Sequence, residues 1–134
     1  MAAYGIGPAG VSVITPPAKE LLSKVGILEA GDTTTGVALF GLPKYAVPIG
    51  VFVIATAANT TQTITLGYSD GGTELINAFA PNSTGFSTPG AQTGTGVGVQ
   101  LTADKKVIAK ASATLTNPVT VRVDYYIPPQ GLSL

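Results

Sequence analysis

The side chains best suited to acid–base chemistry in this 134-residue sequence are seven carboxylates. A pair of them could hydrolyse a glycosidic bond, because that reaction needs only two carboxyl groups. Each, however, lies in or beside a predicted turn or on the polar face of a predicted strand, where a solvated carboxylate is the ordinary finding. We therefore predict no catalytic pair. The seven residues are Glu20, Glu29, Asp32, Asp70, Glu74, Asp104 and Asp124.

Other site chemistry is restricted by two missing residue types. The chain contains no histidine and no cysteine, which excludes the common nucleophile–base pairs and most zinc and copper sites. Ser69, Asp70 and Glu74 offer oxygen ligands for calcium, but their spacing matches no calcium-binding loop. We predict no catalytic, cofactor-binding or metal-binding residue, no cofactor and no enzymatic activity.

Two short motifs are weak candidates for ligand binding. The run 94–98, GTGVG, resembles a phosphate-binding glycine loop, but such a loop opens a helix and the next residues have a strand pattern. Tyr125 and Tyr126 are adjacent in an alternating strand, so one ring should face the core and the other the surface. Tyr126 is then the better candidate for stacking on a sugar or a base.

Charge and hydropathy limit the kinds of partner that the chain could bind. Only 10% of the residues are charged and the formal net charge is zero, so we expect other protein to cover much of the surface. The single basic cluster, Lys105, Lys106 and Lys110, lies beside Asp104 and forms no basic face for nucleic acid. No apolar run is long enough to cross a membrane. The first ten residues lack the features of a secretory signal, so we expect a soluble, intracellularly made chain.

The elements that would position these residues are predicted to be strands. The run 37–68 contains three of them, at 37–42, 49–54 and 61–68, rich in apolar and β-branched residues. Further strands are predicted at 11–14, 74–80, 97–101, 106–114 and 119–127. This count of about eight, without alternating helices, predicts an all-β fold, an antiparallel β-sandwich or jelly roll.

The remaining segments are predicted as arms, one loop and one helix. A short helix is predicted at 15–26, with Thr15 as its cap and Gly26 as its stop. We expect an extended N-terminal arm at 1–17, a single β-sandwich domain at 18–127 and a C-terminal tail at 128–134. The long loop at 81–96 has the length of a functional or mobile loop.

The segments 31–72 and 96–127 resemble small β-sandwich proteins of tailed-phage virions. They share an apolar strand ending in Leu-Pro-Lys-x-Ala, a Val/Ile-rich strand and a Thr-rich strand ending in x-Gly-Tyr-x-Asp. A Leu-Thr-Ala-Asp turn and a closing hydrophobic-x-Val-x-Tyr strand follow. Within these virion proteins the sequence is most similar to capsid decoration, or cement, proteins.

The resemblance implies a subunit that binds the major capsid protein on the outer surface of the shell and bridges neighbouring subunits. It implies a homo-oligomer, with a trimer favoured, that is made in the host cytoplasm and located on the virion. The arm 1–17, the loop 81–96 and the tail 128–134 are the predicted contact segments. A tail or head-fibre subunit, possibly a carbohydrate-binding receptor module, remains an alternative, as does a small enzyme or inhibitor.

Overall fold

The computed structural model describes residues 21–31, 35–59 and 61–129, which form eight β-strands. A 3-10 turn at Gly90–Gln92 is the one helical segment among these residues, and no helix in them could cross a membrane. The strands are β1 Leu22–Leu28, β2 Val37–Leu42, β3 Val47–Ala55, β4 Ile64–Gly67, β5 Ile76–Phe79, β6 Gly85–Ser87, β7 Lys105–Ala111 and β8 Val119–Tyr126.

The strands form two antiparallel sheets of four strands each. The first sheet has the order β1-β8-β3-β6 and the second has the order β2-β7-β4-β5. Strands from the two halves of the chain therefore pair as β1 with β8, β2 with β7 and β3 with β6, which is the arrangement of a jelly roll. The prediction of an all-β sandwich or jelly roll is confirmed.

The core lies between the sheets and follows from alternation along the strands. In β8, Val119, Val121 and Val123 are fully buried, and Tyr125 is 5% exposed. The small residues Ala109 and Ala111 of β7 are also buried in this core. Tyr126 lies on the other face of β8 and is half-buried, so the predicted split between the two tyrosines is confirmed.

The helix predicted at 15–26 is wrong over its second half. Residues 22–26 belong to β1, which pairs along seven residues with β8, and residues 15–20 lie outside the described part of the chain. A two-turn helix is marginal alone, whereas β1 gains a complete ladder with a central strand. Gly26 is no helix stop: a Cβ there would lie 2.6 Å from Leu39 Cβ, so glycine lets β1 approach β2.

The strand predicted at 97–101 is also wrong. This segment forms successive turns, with Val99 N donating to Gly96 O at 3.1 Å and Gly98 at a φ of 88°. Its backbone is held instead by the start of β3, since Leu101 N donates to Ala46 O at 2.9 Å. The predicted strand at 11–14 lies outside the described residues.

The loop predicted at 81–96 is more ordered than expected. It contains β6 and the 3-10 turn. Strand β6 pairs with β3, which sets Phe86 opposite Ile54. A three-residue strand carries too little periodicity to be recognised in sequence, so this edge of the first sheet was missed.

Candidate assembly surface

The carboxylates considered for catalysis serve the fold where the structure describes them. Asp70 lies 3.5 Å from Lys110 Nζ, and Asp104 Oδ1 accepts a hydrogen bond of 2.8 Å from the Lys44 backbone N–H. Glu29 is also engaged, while Glu20 and Asp32 lie outside the described residues. No group of three acidic side chains in the described ranges could hold a metal ion.

Glu74 closes the turn between β4 and β5. Its Oε1 accepts a 3.0 Å hydrogen bond from the Tyr68 backbone N–H, in a space kept open by Gly67 and Gly72. Burial, and to a smaller extent the Glu74 carboxylate, raises the pKa of Tyr68 to about 12. The calcium set of Ser69, Asp70 and Glu74 is therefore better explained as a turn.

The glycine run 94–98 serves close backbone packing. Gly94 N donates to Leu75 O at 3.0 Å and Gly96 N donates to Glu74 O at 2.7 Å. A Cβ at Gly94 would lie 2.2 Å from Thr73 O. These N–H groups are thus occupied within the fold, and the glycines are needed for the close approach of two chain segments rather than for a phosphate.

The outward face of the first sheet, which we call the outer sheet face, carries apolar side chains around the polar residues Arg122 and Asp124. Three of its side chains are about half exposed: Val25 at 56%, Ile27 at 49% and Phe86 at 57%. The strand registers place Ile27, Thr120, Ile54 and Phe86 in one row across all four strands. Exposed apolar side chains that are grouped together and flanked by polar residues are typical of a binding surface.

An arginine and two aromatic rings occupy the middle of the outer sheet face. The rings of Phe52 and Phe86 are 5.1 Å apart between centroids. The Arg122 guanidinium carbon lies 4.4 Å from the Phe52 centroid and 5.8 Å from that of Phe86. Aromatic and arginine side chains are the types most often found at the energetic centre of protein interfaces.

Asp124 fixes the orientation of this arginine. Arg122 Nη2 donates to Asp124 Oδ2 at 3.3 Å, and Arg122 Nε lies 3.1 Å from Oδ1 as an ion pair without hydrogen-bond alignment. Ser23 Oγ donates to the same Oδ1 at 2.6 Å and joins β1 to β8. The guanidinium is therefore held over the rings before any partner arrives, which lowers the entropy lost on binding.

Of the three predicted contact segments, the structure describes one in full and one in part. Phe86, from the loop 81–96, lies on it. The arm 1–17 lies outside the described residues, and of the tail 128–134 only Pro128 and Pro129 are described. Leu22 pairs with Tyr125, so the described chain enters and leaves the sandwich on neighbouring strands at one end, which we call the terminal end.

Sequence reasoning missed most of the outer sheet face. Val25 and Ile27 lie in or beside the predicted helix, and Phe52 lies in the predicted strand 49–54, whose apolar run gives no sign of which side chains face outward. The available signal was in β8, where Arg122 and Asp124 stand two residues apart on the polar face of the clearest alternating strand.

Comparison with known proteins supports the fold alone. No family model and no curated protein matches the sequence. A chain of the cyanophage Pam1 capsid asymmetric unit superposes with a TM-score of 0.63 at 17% identity, covering 93% of this chain and 100% of that chain. A chain of the Ralstonia phage GP4 capsid gives 0.61 at 16% identity, covering 90% and 91%.

A third solved structure agrees with these two. A chain of the acid-stable capsid of Helicobacter pylori bacteriophage KHP30 gives a TM-score of 0.60 at 15% identity, covering 81% of this chain and 88% of that chain. This jelly roll is therefore a fold found in bacteriophage capsid structures. The resemblance to phage virion proteins seen in the sequence is confirmed for the fold.

Proposed function

We propose that the protein is a structural subunit of a bacteriophage virion that decorates and cements the capsid. It binds the outer surface of the shell formed by the major capsid protein and bridges neighbouring subunits. The observation that carries this proposal is the apolar outer sheet face, with its fixed arginine, on a fold that also occurs in phage capsid structures. The engagement of every described carboxylate in the fold supports a role without catalysis.

The stabilising mechanism is burial of the outer sheet face against the shell. Truncating a central aromatic or arginine side chain of such an interface costs on the order of 2 kcal/mol or more. Several subunits of one oligomer bind together, so modest contacts per subunit add up to tight attachment. Shell subunits held by one oligomer then separate only if several contacts break at once.

The finer assignments are part of the same proposal. The protein is a homo-oligomer, with a trimer favoured, located on the capsid surface after synthesis in the host cytoplasm. The arm 1–17, the loop 81–96 and the tail 128–134 make the contacts with neighbours, around the sandwich domain 18–127. Neither nucleic acid nor membrane is a partner.

The test compares two valines of equal exposure. Val25 on the outer sheet face is 56% exposed and Val99, in the turn outside that face, is 55% exposed. Val25→Asp places a charge in the proposed apolar contact and should weaken binding to shells at least about tenfold, whereas Val99→Asp should bind as the wild type does. Binding is measured by co-sedimentation with shells that lack this protein, after circular dichroism has shown that both variants are folded.

Two results would contradict the proposal. Failure of the wild-type protein to sediment with shells, at any concentration tested, would remove the cementing function. Equal loss of binding in both valine variants would remove the outer sheet face as the contact surface.

A carbohydrate-binding tail or head-fibre subunit is the second candidate. The observation in its favour is the exposed ring of Phe86, on a fold class that also includes lectins. The polar groups around that ring are few, and Arg122 and Asp124 already bond each other. Binding of the wild type to a glycan array, with loss in Phe86→Ala, would favour this alternative.

A further inference from the structure

A second surface lies at the terminal end of the sandwich, where the two sheets separate. It is an open cleft of about 530 Å³ between β1 and the adjoining ends of β2 and β7. Its floor is apolar, since Leu42 is 1% exposed and Tyr125 is 5% exposed. We call it the basic cleft, and the residues that matter here are Lys24, Leu42, Pro43, Lys105, Lys106 and Tyr125.

The register of β1 explains why a lysine borders an apolar floor. Lys24 is paired with Val123, which is fully buried, so the Lys24 side chain leaves β1 on the core side of the sheet. At this end the sheets have separated enough for its charged group to reach water. Lys105 and Lys106, which open β7, are exposed beside it.

The three lysines make the basic cleft locally positive in a chain with no net charge. None of them has a carboxylate within ion-pair distance among the residues that the structure describes. The one acid of the lining is Asp104, whose Oδ1 accepts from the Lys44 N–H. Three lysines against one aspartate leave two positive charges on the rim of an apolar floor.

We propose that the basic cleft receives an acidic segment of the partner protein. An apolar side chain of that segment packs on Leu42, Pro43 and Tyr125, and flanking carboxylates pair with the lysines. The proposal rests on the proposed function for the identity of the partner, which is the shell subunit. The volume suits a few side chains of an extended peptide, and two net charges without a basic stripe do not suit a nucleic-acid backbone.

The first test uses a defined peptide and nuclear magnetic resonance. The probe is an acetylated, amidated pentapeptide with two glutamates on each side of a phenylalanine, and the control peptide has lysines in place of the glutamates. The acidic peptide should shift the signals of Leu42 and Tyr125, and the basic peptide should not. The double variant K105Q/K106Q should weaken this binding at least about tenfold, because rim charges are its source of attraction.

Lys110→Gln is the matched control, since it neutralises a lysine of the same strand that does not line the basic cleft. It should bind the acidic peptide as the wild type does. Three results would each overturn the proposal: no shift with the acidic peptide, an equal shift with the basic peptide, or shifts at these residues produced only by inorganic phosphate or a DNA oligonucleotide. The proposal also fails if Glu20→Gln shifts the same signals without peptide, because residue 20 of the chain itself would then occupy the basic cleft.

A second test separates this proposal from the proposed function. Shell binding of the wild type should weaken between about 50 and about 300 mM salt, because screening shortens the range of the lysine charges. K105Q/K106Q should bind less tightly than the wild type at low salt and depend less on salt. If K105Q/K106Q binds like the wild type while Val25→Asp does not bind, the basic cleft fails as a contact and the cementing function stands. If the acidic peptide binds but shells do not, the cementing function fails, and the basic cleft stands as a site for acidic segments while the shell subunit is removed as its partner.

Discussion

At the scale of single residues, polar side chains in this protein mainly fix loops and one another. Asn59 is 1% exposed and is the clearest example. Its Oδ1 accepts from the backbone N–H groups of Thr116 and Asn117, and its Nδ2 donates to Asn117 O. Asp124 acts in the same way, because its carboxylate fixes the side chain of Arg122. A side chain with several such bonds holds the chain segments around it in one arrangement, as Asn59 does for the loop at Asn117.

Tyr68 gives this scaffold a dependence on alkaline pH. Its pKa is about 12 in the folded protein, because of burial and then Glu74, against about 10 in an unfolded chain. The folded state holds the phenolic proton more tightly, so the stability from this group is complete below about pH 10 and is lost as the pH rises towards about 12.

Tyr68→Phe should therefore flatten the fall in the free energy of unfolding over that range. It should cost little at neutral pH, because the Tyr68 hydroxyl has no hydrogen-bond partner among the described residues. Urea unfolding at several pH values measures the difference between the two proteins in the free energy of unfolding. The other titrating groups are the same in both proteins, so their contributions cancel in this difference. Parallel curves for the two proteins would show that Tyr68 does not carry this dependence.

At the scale of elements, the four strands of the second sheet and the two central strands of the first could be predicted, whereas β1 and β6, the edge strands of the first sheet, could not. β3 and β8 have enough periodic apolar residues to be recognised locally. β1 could not be recognised, because the sequence around it has the start and stop signals of a helix, namely Thr15, the two prolines after it and Gly26. Only the pairing with the distant β8 favours a strand. The outer sheet face combines residues of all four strands of one sheet, so no local pattern could predict the contact of Arg122 with Phe52 and Phe86.

Gly26→Ala tests the close approach of β1 to β2. In β1, the new methyl group would meet Leu39 Cβ at 2.6 Å, and the resulting overpacking should destabilise the fold by about 1–3 kcal/mol. Thermal or urea unfolding measures this change.

Gly41→Ala is the control for that experiment, because it adds the same methyl group to a neighbouring strand. There the nearest atom is Lys105 O at 3.7 Å, an ordinary contact distance. This variant should be neutral or slightly stabilising. Destabilisation of both variants to the same degree would contradict the close approach of β1 to β2.

At the scale of the whole molecule, the low charge and the exposed apolar side chains of the outer sheet face support the proposal that the protein works in an assembly. The eight strands of the described residues begin with β1 at Leu22. The fold therefore should not need the segment 1–17, and we propose that this segment acts on neighbours instead.

Deletion of residues 1–17 should leave the melting temperature within a few degrees of the full chain. It should reduce shell binding at least about tenfold, because one of several linked contacts is lost. Differential scanning calorimetry and shell co-sedimentation measure the two effects. Undiminished binding would remove the arm from the contact segments, and a collapse of the melting temperature would show that it belongs to the fold.

The pairing of Leu22 with Tyr125 also defines two ends of the sandwich, which should differ in how well they tolerate an inserted peptide. The loop 112–118 joins β7 to β8 at the end opposite the chain's entry and exit, beside the row of the outer sheet face that contains Ile27 and Thr120. Ala113 is exposed there, while Asn59 anchors the same loop at Asn117. A foreign peptide inserted beside Ala113 would project away from the terminal end, so this loop is the position at which an insertion would leave the basic cleft open.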